Sequence, residues 1–210
     1  MLRDLRTNYR KFGLDESSLN KDPLAHLNEW LKDAIEGKGL DPTAMVLSTI
    51  DQNGNPESRV VLLKELTSEG LVFYTNYNSK KGQHIAVNHN VSVVFFWAET
   101  ERQVRIKGIA EKVSEADSVA YFLSRPLESQ IGAWASPQSQ IIENRGVLDE
   151  NYSQYLQYFQ SKELKKPPYW GGFLIRPQYF EFWQGRENRL HDRIEYNLHD
   201  QGWIIDRLAP

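Results

Sequence analysis

The sequence predicts a mainly β protein, an antiparallel barrel with helices packed on its outside. Apolar segments rich in β-branched and aromatic residues recur along the chain, and short groups of turn-forming residues separate them. Segments with helical periodicity are interspersed among these strands. Many strands joined by short turns favour a barrel over a layered α/β fold. With neither an internal repeat nor a second boundary, we expect one domain over residues 22–210, preceded by an arm at residues 1–21.

The arm and the first helix differ clearly in pattern. Residues 1–21 are polar without a clear period, so we expect a mobile segment. Asp22 and Pro23 then provide an N-cap and a proline at the first helical position. Gly37 and Gly39 end the predicted helix. Its apolar stripe consists of Leu24, Leu27, Trp30, Leu31, Ala34 and Ile35.

The middle of the chain is predicted to be a β meander. Turn formers are dense at residues 51–56 and 67–70, and Ser79 is positioned to cap a short helix that reaches about His89. The predicted strands in this part are 44–50, 58–64, 71–75, 91–97 and 103–113.

The last part combines helices with closing strands. Ser114–Asp117 resembles a capping box and begins a helix, which Pro126 stops or bends, and residues 148–159 form another helix. A hairpin turn is predicted at residues 199–202. The closing strands are predicted at 171–175, 179–183, 193–197 and 203–208.

Composition excludes several classes of function. The net charge of −3 provides no basic field for nucleic acid, and the absence of cysteine excludes disulfides, thiolate catalysis and cysteine-ligated metals. The N-terminus lacks the apolar core of a signal peptide, and no apolar run approaches the roughly 20 residues that span a bilayer. We therefore expect a cytoplasmic protein without a membrane or nucleic-acid partner.

The segment from Glu181 to Arg193 is the most informative stretch of the sequence. It begins with a hydrophobic run that contains Trp183. Two arginines and a histidine, Arg189, His191 and Arg193, come after this run. Arginine provides a planar fork for phosphate and stacks on rings, and histidine changes charge near neutral pH. The segment is suited to a small anionic, aromatic ligand, although a charged edge strand would look similar.

A second candidate is the run from Arg59 to Lys64. The two positions differ in parity, so their side chains are expected on opposite faces of a strand. The four aliphatic residues between them favour a strand buried on both faces. Two anion sites, one at each end, are one interpretation; two solvated charges bracketing a core strand are the other.

Two further clusters are suited to phosphate. Tyr74–Lys81 runs from a strand through a polar turn into a helix start with two lysines, where free N–H groups favour anions. Tyr121, Arg125 and Ser129 are spaced by four and offer phenol, guanidinium and hydroxyl donors, although Pro126 leaves a shared face assured only for the first pair. A solvated turn and a plain helix surface remain open alternatives.

Searches for other catalytic signatures are negative. The sequence contains no dinucleotide-binding or P-loop glycine pattern, no zinc-protease motif and no serine-nucleophile elbow. His84 and His89 are spaced wrongly for two metal ligands on one helical face, and His26 and His199 are predicted at the surface, so no metal site is expected. Phosphate-suited clusters without a nucleophile indicate an enzyme whose cofactor supplies the chemistry.

The chain resembles the pyridoxamine 5′-phosphate oxidase family in a series of motifs that run in order from about Asp22 onward. The matching segments are Asp41–Val46, Arg59–Lys64, Val72–Asn76, Glu101–Val104, Ser124–Pro126, Ser129–Trp134, Trp170–Phe173, Glu181–Gly185, Arg189–Arg193 and Asp206–Pro210.

The resemblance implies a split β-barrel, paired as a homodimer with FMN at the subunit interface. It implies that pyridoxamine or pyridoxine 5′-phosphate is oxidised to pyridoxal 5′-phosphate with O2 as acceptor, releasing H2O2, and NH3 from the amine. The implied FMN ligands are Arg59, Val60, Val61, Leu62, Leu63, Lys64, Tyr74, Thr75, Lys80, Lys81, Gln103, Gln138, Ser139, Trp183 and Arg193. The implied substrate ligands are Lys64, Tyr121, Arg125, Ser129, Arg189, His191, Arg6 and Tyr9, with Arg189 and His191 as the catalytic pair.

One position departs from the family pattern. Lys80 stands where the family often has arginine, and lysine lacks the bidentate fork. Two other functions remain in competition with the oxidase, a split-barrel flavin-binding protein without turnover and a flavin reductase that uses a nicotinamide cofactor.

Overall fold

The computed structural model describes residues 2–4 and 8–210, which contain nine strands and five α-helices. In chain order these are α1 (Pro23–Glu36), β1 (Ala44–Ile50), β2 (Pro56–Leu62), β3 (Glu65–Thr67), β4 (Gly70–Asn76), α2 (Lys80–Val87), β5 (Asn90–Trp97), β6 (Arg102–Lys112), α3 (Glu115–Ser124), α4 (Leu127–Ala135), α5 (Gly146–Tyr158), β7 (Trp170–Gln184), β8 (Asp192–His199) and β9 (Gly202–Leu208). Short 3-10 turns lie at Leu2–Asp4, Glu16–Ser18 and Glu187–Arg189.

All nine strands belong to one antiparallel sheet that curls on itself. The hydrogen-bonded order is β2-β1-β5-β6-β7-β4-β3, with β8 beside β7 and β9 beside β8. The two ends of this order, β2 and β3, follow each other directly in the chain, and the Lys64 amide donates to the Val72 carbonyl. The sheet therefore closes into a barrel with helices outside it, which confirms the predicted fold class.

Alternation along the strands places the core inside the barrel. In β1, Met45 and Leu47 are buried while Val46 between them is exposed, as the two-residue period of a strand requires. Helix α1 covers one opening of the core, with the Trp30 ring 5.2 Å from the Phe182 ring. The buried aliphatic and aromatic side chains of α1 and the barrel form one continuous cluster.

The predicted helix starts are confirmed at three caps. The Asp22 side chain accepts a hydrogen bond from the Leu24 amide, Ser79 accepts from Gly82, and Ser114 accepts from Asp117. Each cap satisfies a backbone donor that the first turn of a helix leaves free. The cap at Ser79 fixes where α2 begins, and therefore where its two lysines lie.

The prediction of separate strands at 171–175 and 179–183 was wrong, because β7 is one strand of 15 residues. Its register with β6 shifts between Lys107 and Gly108, which leaves Gln178 without a partner beside Pro177. A bulge accommodates a proline, whose missing N–H would otherwise interrupt the ladder.

Three further expectations need correction. The run from Arg59 to Lys64 is not buried on both faces: β2 lies at an end of the strand order, and Val60 is 63% exposed. His26 is not at the surface but only 3% exposed, since it lies on the barrel-facing side of α1. Pro126 does stop the helix as predicted, since α3 ends at Ser124, but the chain after it forms a further helix, α4, where none was predicted.

Candidate active site

A cavity of about 470 Å³ lies between the barrel and the corner where α3 meets α4. Strands β2 and β4 form one wall, and the two helices form the other. The cavity is lined by Val60, Val61, Leu62, Lys64, Tyr74, Thr75, Asn76, Lys81, Tyr121, Arg125, Ser129, Gly132, Ala133, Ser136, Gln138 and Trp170. Eight of the implied cofactor ligands are in this set. It also contains four of the implied substrate ligands, Lys64, Tyr121, Arg125 and Ser129.

Tyr121, Arg125 and Ser129 converge although two different helices carry them. Tyr121 lies in the last turns of α3, Arg125 is the C-cap of that helix, and Ser129 lies in the first turn of α4. The bend at Pro126 therefore brings the third residue to the same cavity as the first two. The sequence could assure this only for the first pair, because a helix interrupted by proline loses its regular spacing.

The Arg125 guanidinium is held over an aromatic floor. Its central carbon is 4.7 Å from the Trp170 ring centre, and the Tyr74 and Tyr121 rings stack beside it with centres 3.8 Å apart. Its buried Nη1 has no hydrogen-bond partner among the described residues. Burial lowers the pKa of Arg125. A buried donor and charge of this kind are unfavourable unless a partner arrives.

Lys81 brings a second partly desolvated cation to the cavity. Residue Lys81 is 9% exposed, and its Nζ is 3.3 Å from the Thr75 hydroxyl. Burial, and then the nearby positive charge of Arg59, lower the pKa of Lys81. An anion beside α2 would oppose both effects and would also meet the N-terminal end of the helix dipole.

Gln138 closes the cavity next to β4. Its Oε1 accepts hydrogen bonds from the Thr75 hydroxyl at 3.2 Å and from the Asn76 amide at 3.3 Å. These bonds fix the segment after α4 against the strand.

Seven implied cofactor ligands lie outside the lining of this cavity, and four of them are on or beside the elements that form it. Arg59 donates to the Leu47 carbonyl and the Thr49 hydroxyl, and Leu63 is buried in the core at 4% exposure. Lys80 is exposed, with its Nζ 3.7 Å from Glu57. Ser139 is exposed, in a left-handed backbone conformation with φ 69°.

A second group of implied site residues lies on β6, β7 and β8. Gln103 is directly opposite Trp183, and Trp183 is directly opposite Arg193, so the three side chains form a row across the sheet. Arg193 donates from Nε and Nη2 to the two carboxylate oxygens of Glu181, both at 3.1 Å. Burial alone would raise the pKa of Glu181, but the hydrogen bonds from Arg193 and the charge of Arg105 lower it.

His191 and Arg189 lie next to this row. The His191 ring is 4.7 Å from the Trp183 ring, and its Nδ1 accepts a hydrogen bond from the Arg186 amide. That bond places the proton of the neutral ring on Nε2. Burial and the charge of Arg189 lower the pKa of His191, which favours the neutral ring at pH 7.

Arg189 is exposed and held in a left-handed turn, with φ 62° following φ 57° at Asn188. Non-glycine residues rarely adopt this region, and such turns concentrate at functional sites. The Tyr9 ring packs edge-on against Trp183 and His191, with centres 5.6 and 5.9 Å away. The other arm residue of the implied substrate set, Arg6, lies outside the described residues.

The two groups of residues lie at opposite ends of β7. Trp170 lines the cavity at the start of this strand, and Trp183 lies near its end, thirteen positions later. At about 3.3 Å per residue, the path along the strand is on the order of 40 Å. A single small ligand in one chain cannot contact both ends.

Sequence reasoning gave no role to several residues at these two places. Asn76 and Trp170 line the cavity and are paired directly across β4 and β7, a register that alternation alone does not reveal. Glu181 forms an ion pair with Arg193 because β7 and β8 are neighbours, a strand pairing that the sequence did not predict. Ser136 joins the cavity only because α4 exists.

Two searches of the described residues bear on the excluded functions. No helix within residues 2–4 and 8–210 is long and apolar enough to cross a membrane. In the same part of the chain, no group of three or more metal-binding side chains is arranged to hold an ion.

Comparison with protein families gives two matches that together span most of the chain. Residues 29–158 match the model described as pyridoxamine 5′-phosphate oxidase. Residues 170–210, which carry the Trp183 and His191 group, match the pyridoxine 5′-phosphate oxidase C-terminal dimerisation region.

Similar proteins are found among curated sequences and solved structures. The pyridoxine/pyridoxamine 5′-phosphate oxidases of Acidovorax sp. (strain JS42) and Vibrio parahaemolyticus are 50% and 48% identical, each over all of this chain and 96% and 99% of the relative. The crystal structure of PhzG from Burkholderia lata, in complex with tetrahydrophenazine-1-carboxylic acid, has a TM-score of 0.90 at 25% identity, covering 97% of this chain and 100% of that one. An FMN-binding protein of Nostoc punctiforme, at 16% identity and TM-score 0.67 over 95% of this chain and 100% of that one, shares the fold.

Proposed function

The chain belongs to the pyridoxamine 5′-phosphate oxidase family, and on that premise we propose that it oxidises pyridoxamine or pyridoxine 5′-phosphate to pyridoxal 5′-phosphate with FMN as cofactor and O2 as acceptor. The amine substrate would also consume water and release NH3. This is an oxidoreductase function in vitamin B6 metabolism.

The observation that carries the proposal is the unpartnered buried Nη1 of Arg125. It lies in one cavity with the Tyr121 and Ser129 hydroxyls and with Lys64. Together these groups offer charge-assisted and neutral donors to a phosphate, in a place where the Arg125 Nη1 has no acceptor among the described residues. The stacked Tyr74 and Tyr121 rings add an aromatic wall suited to a substrate with a heteroaromatic ring.

The residues present also fit a flavin phosphate. Lys81 is buried, its pKa is lowered, and it lies in the first turn of α2, where no acidic side chain competes for the free N–H groups. The lowered pKa shows that the charged form of Lys81 is destabilised, and a bound anion would stabilise it. The free backbone N–H groups at the start of α2 are further donors for that anion. Arg59, which lowers the pKa of Lys81, brings a second positive charge to the same place. Thr75 and Gln138 would hold the cofactor from the strand side.

The separation of the two groups along β7 supports a site shared between two copies of the chain. Residues of the cavity from one subunit and the row of Gln103, Trp183 and Arg193 from the other would enclose one FMN. The match of residues 170–210 to a dimerisation region and the exposed Val46, Val60 and Phe96 on the outer face of β1, β2 and β5 are consistent with a homodimer.

Bound FMN would supply two-electron redox chemistry, with the substrate as electron donor and O2 as acceptor. The protein would contribute alignment and charge placement. Arg189 and His191 would face the substrate ring opposite the flavin, with the His191 Nε2 proton available as a hydrogen-bond donor. Neutral His191 can donate this bond without adding charge near Arg189.

The proposal is tested by the absorbance spectrum of the purified holoprotein before and after anaerobic addition of pyridoxamine 5′-phosphate. We expect loss of the oxidised-flavin band, followed by its return with H2O2 and the aldehyde absorbance when O2 is admitted. Reduced nicotinamide and a reduced phenazine carboxylate are the matched controls. A flavin that stays oxidised with pyridoxamine 5′-phosphate but is reduced by the reduced nicotinamide cofactor would refute the proposed oxidase activity. It would favour a flavin reductase instead.

The shared site has its own test. FMN is titrated while protein concentration is lowered through the dimer dissociation range, with flavin fluorescence and sedimentation as readouts. We expect flavin release to follow dissociation. Full flavin occupancy in isolated subunits would contradict a site built from two chains.

A further inference from the structure

The segment before α1 lies over the Trp183 and His191 end of the barrel. Tyr9 packs edge-on against both rings, and Gly185 passes so close to it that a Cβ there would be 2.7 Å from the Tyr9 ring. Leu14, five residues later, is 3% exposed. The segment between them, residues 10–13, must therefore be fastened for Tyr9 to stay in place.

Glu101 provides the fastening. Its side chain lies in the turn between β5 and β6, and the residue is 6% exposed. One carboxylate oxygen, Oε2, accepts hydrogen bonds from the Arg10 amide at 2.8 Å and the Lys11 amide at 3.0 Å. A carboxylate that accepts consecutive backbone N–H groups forms bonds about twice as strong as neutral ones.

The backbone of Glu101 ties the same residue to the end of β7. Its carbonyl accepts hydrogen bonds from the Gly185 amide at 2.8 Å and from Gln184 Nε2 at 3.1 Å. The residue adopts φ 56°, which is unusual for a side chain other than glycine or asparagine. This conformation allows the carbonyl to meet β7 while the carboxylate meets the arm, so Glu101 links Tyr9 to the strand that carries Trp183.

The rest of the arm is held independently of Glu101. The Arg102 guanidinium lies 4.9 Å from the Phe12 ring centre, and the Leu14 amide donates to Asp192 Oδ2 at 3.1 Å. Removal of the Glu101 carboxylate should therefore loosen residues 8–11, which would keep the exposed side-chain contacts of Arg10 with Glu187 and of Lys11 with the Glu99 carbonyl, while Leu14 stays in the core. The effect is local and does not require unfolding of the barrel.

We propose that Glu101 is a positioning residue of the substrate site: it holds the arm so that Tyr9 forms a fixed wall over Trp183 and His191. This inference rests on the proposed function, because it assigns Tyr9 to the substrate side of that site. Glu101 itself touches neither substrate nor cofactor in this role. Its contribution is to order the wall before the substrate binds, which reduces the entropy cost of binding.

The test uses the full-length holoprotein with Glu101→Ala, Glu101→Gln and the control Glu99→Gln. Glu99 lies in the same turn, and Glu99→Gln removes the same charge. Lys11 contacts the main-chain carbonyl of Glu99, so this contact is retained in the control. The readouts are the rate of trypsin cleavage after Arg10 and Lys11, followed by mass spectrometry, together with FMN affinity, KM and kcat.

For Glu101→Ala we expect about tenfold faster cleavage at these two sites and about a tenfold rise in KM, with kcat and FMN affinity within about twofold of wild type. Glu101→Gln retains an oxygen acceptor and should fall between wild type and alanine in both readouts. Glu99→Gln should match wild type. In a Tyr9→Ala background, Glu101→Ala should raise KM no further, because the residue acts through Tyr9.

Three results would overturn the proposal. The first is trypsin cleavage of Glu101→Ala at the wild-type rate, and the second is faster cleavage with an unchanged KM. The third is a loss of FMN affinity in parallel with the change in KM, because this would indicate a structural role for Glu101. A wild-type protein that binds FMN but does not oxidise pyridoxamine 5′-phosphate would instead refute the proposed function. The cleavage ratio would then still decide whether Glu101 fastens the arm.

Discussion

Arg125→Met is expected to weaken substrate binding while leaving the fold about as stable as before. The variant keeps an unbranched side chain over Trp170 but removes the guanidinium whose Nη1 has no partner among the described residues. The two properties should separate because the charge serves the ligand and not the fold.

The structure sets the magnitude of both effects. Loss of the contact between the cation and the Trp170 ring costs about 0.5–2 kcal/mol, while relief of an unsatisfied buried donor returns about 1–3 kcal/mol. The free energy of unfolding should therefore fall by no more than about 1 kcal/mol. Hydrogen bonds to a charged phosphate contribute about 1.5–3 kcal/mol, so substrate affinity should fall on the order of 10- to 150-fold.

The assay pairs urea unfolding of the protein without substrate with steady-state kinetics on pyridoxamine 5′-phosphate. Arg145→Met is the matched control, because the side chain of Arg145, the N-cap residue of α5, is 81% exposed and pairs with Asp149 four residues later. It should leave KM and stability unchanged. An Arg125→Met protein with a wild-type KM would refute the assignment of Arg125 to the phosphate, and one that unfolds much more readily would show that the guanidinium serves the fold.

Three further predictions concern the packing around the second group of site residues. Gly185→Ala should raise KM several-fold without loss of FMN, because the new Cβ would lie 2.7 Å from Tyr9; steady-state kinetics and flavin titration check this, and an unchanged KM would contradict the arm position. His26 is buried and burial lowers its pKa, so the unfolded chain binds the proton more readily and the free energy of unfolding should fall as pH drops below about 6.5. Urea midpoints measured from pH 8 to pH 5 should decrease with falling pH, and less steeply in His26→Phe. The same pH dependence in both proteins would refute this cause. Glu181→Ala should destabilise the protein by about 1.5–3 kcal/mol, because it removes the buried carboxylate to which the partly exposed Arg193 donates two hydrogen bonds; a loss below about 0.5 kcal/mol in urea unfolding would show that the pair matters little to the fold.

The local pattern of the sequence predicted most elements correctly. The caps at Asp22, Ser79 and Ser114 are where their side chains were expected, because capping depends only on residues within one turn. The errors fall where a distant partner decides the outcome. Pro177 remains within a strand because β6 accommodates it in a bulge, and His26 is buried because α1 turns that face toward Phe182.

The sequence by itself determined the chemistry of the candidate sites. Residue types suited to phosphate and aromatic rings are visible at Lys81, Arg125 and Arg189 without any coordinates, and the motifs around them identify the family. Such properties reside in single side chains and short spacings, which folding does not alter.

Only the tertiary structure decided which of these residues act together. Arg125 shares a cavity with Lys81, which lies 44 positions earlier, whereas Arg189 lies at the far end of β7. The register between strands and the bend between α3 and α4 set these distances, and both depend on burial of the barrel core as a whole. Glu101 is the clearest case, because its local sequence is an ordinary charged turn. It contacts the arm only once folding brings Lys11, 90 positions earlier in the chain, next to it.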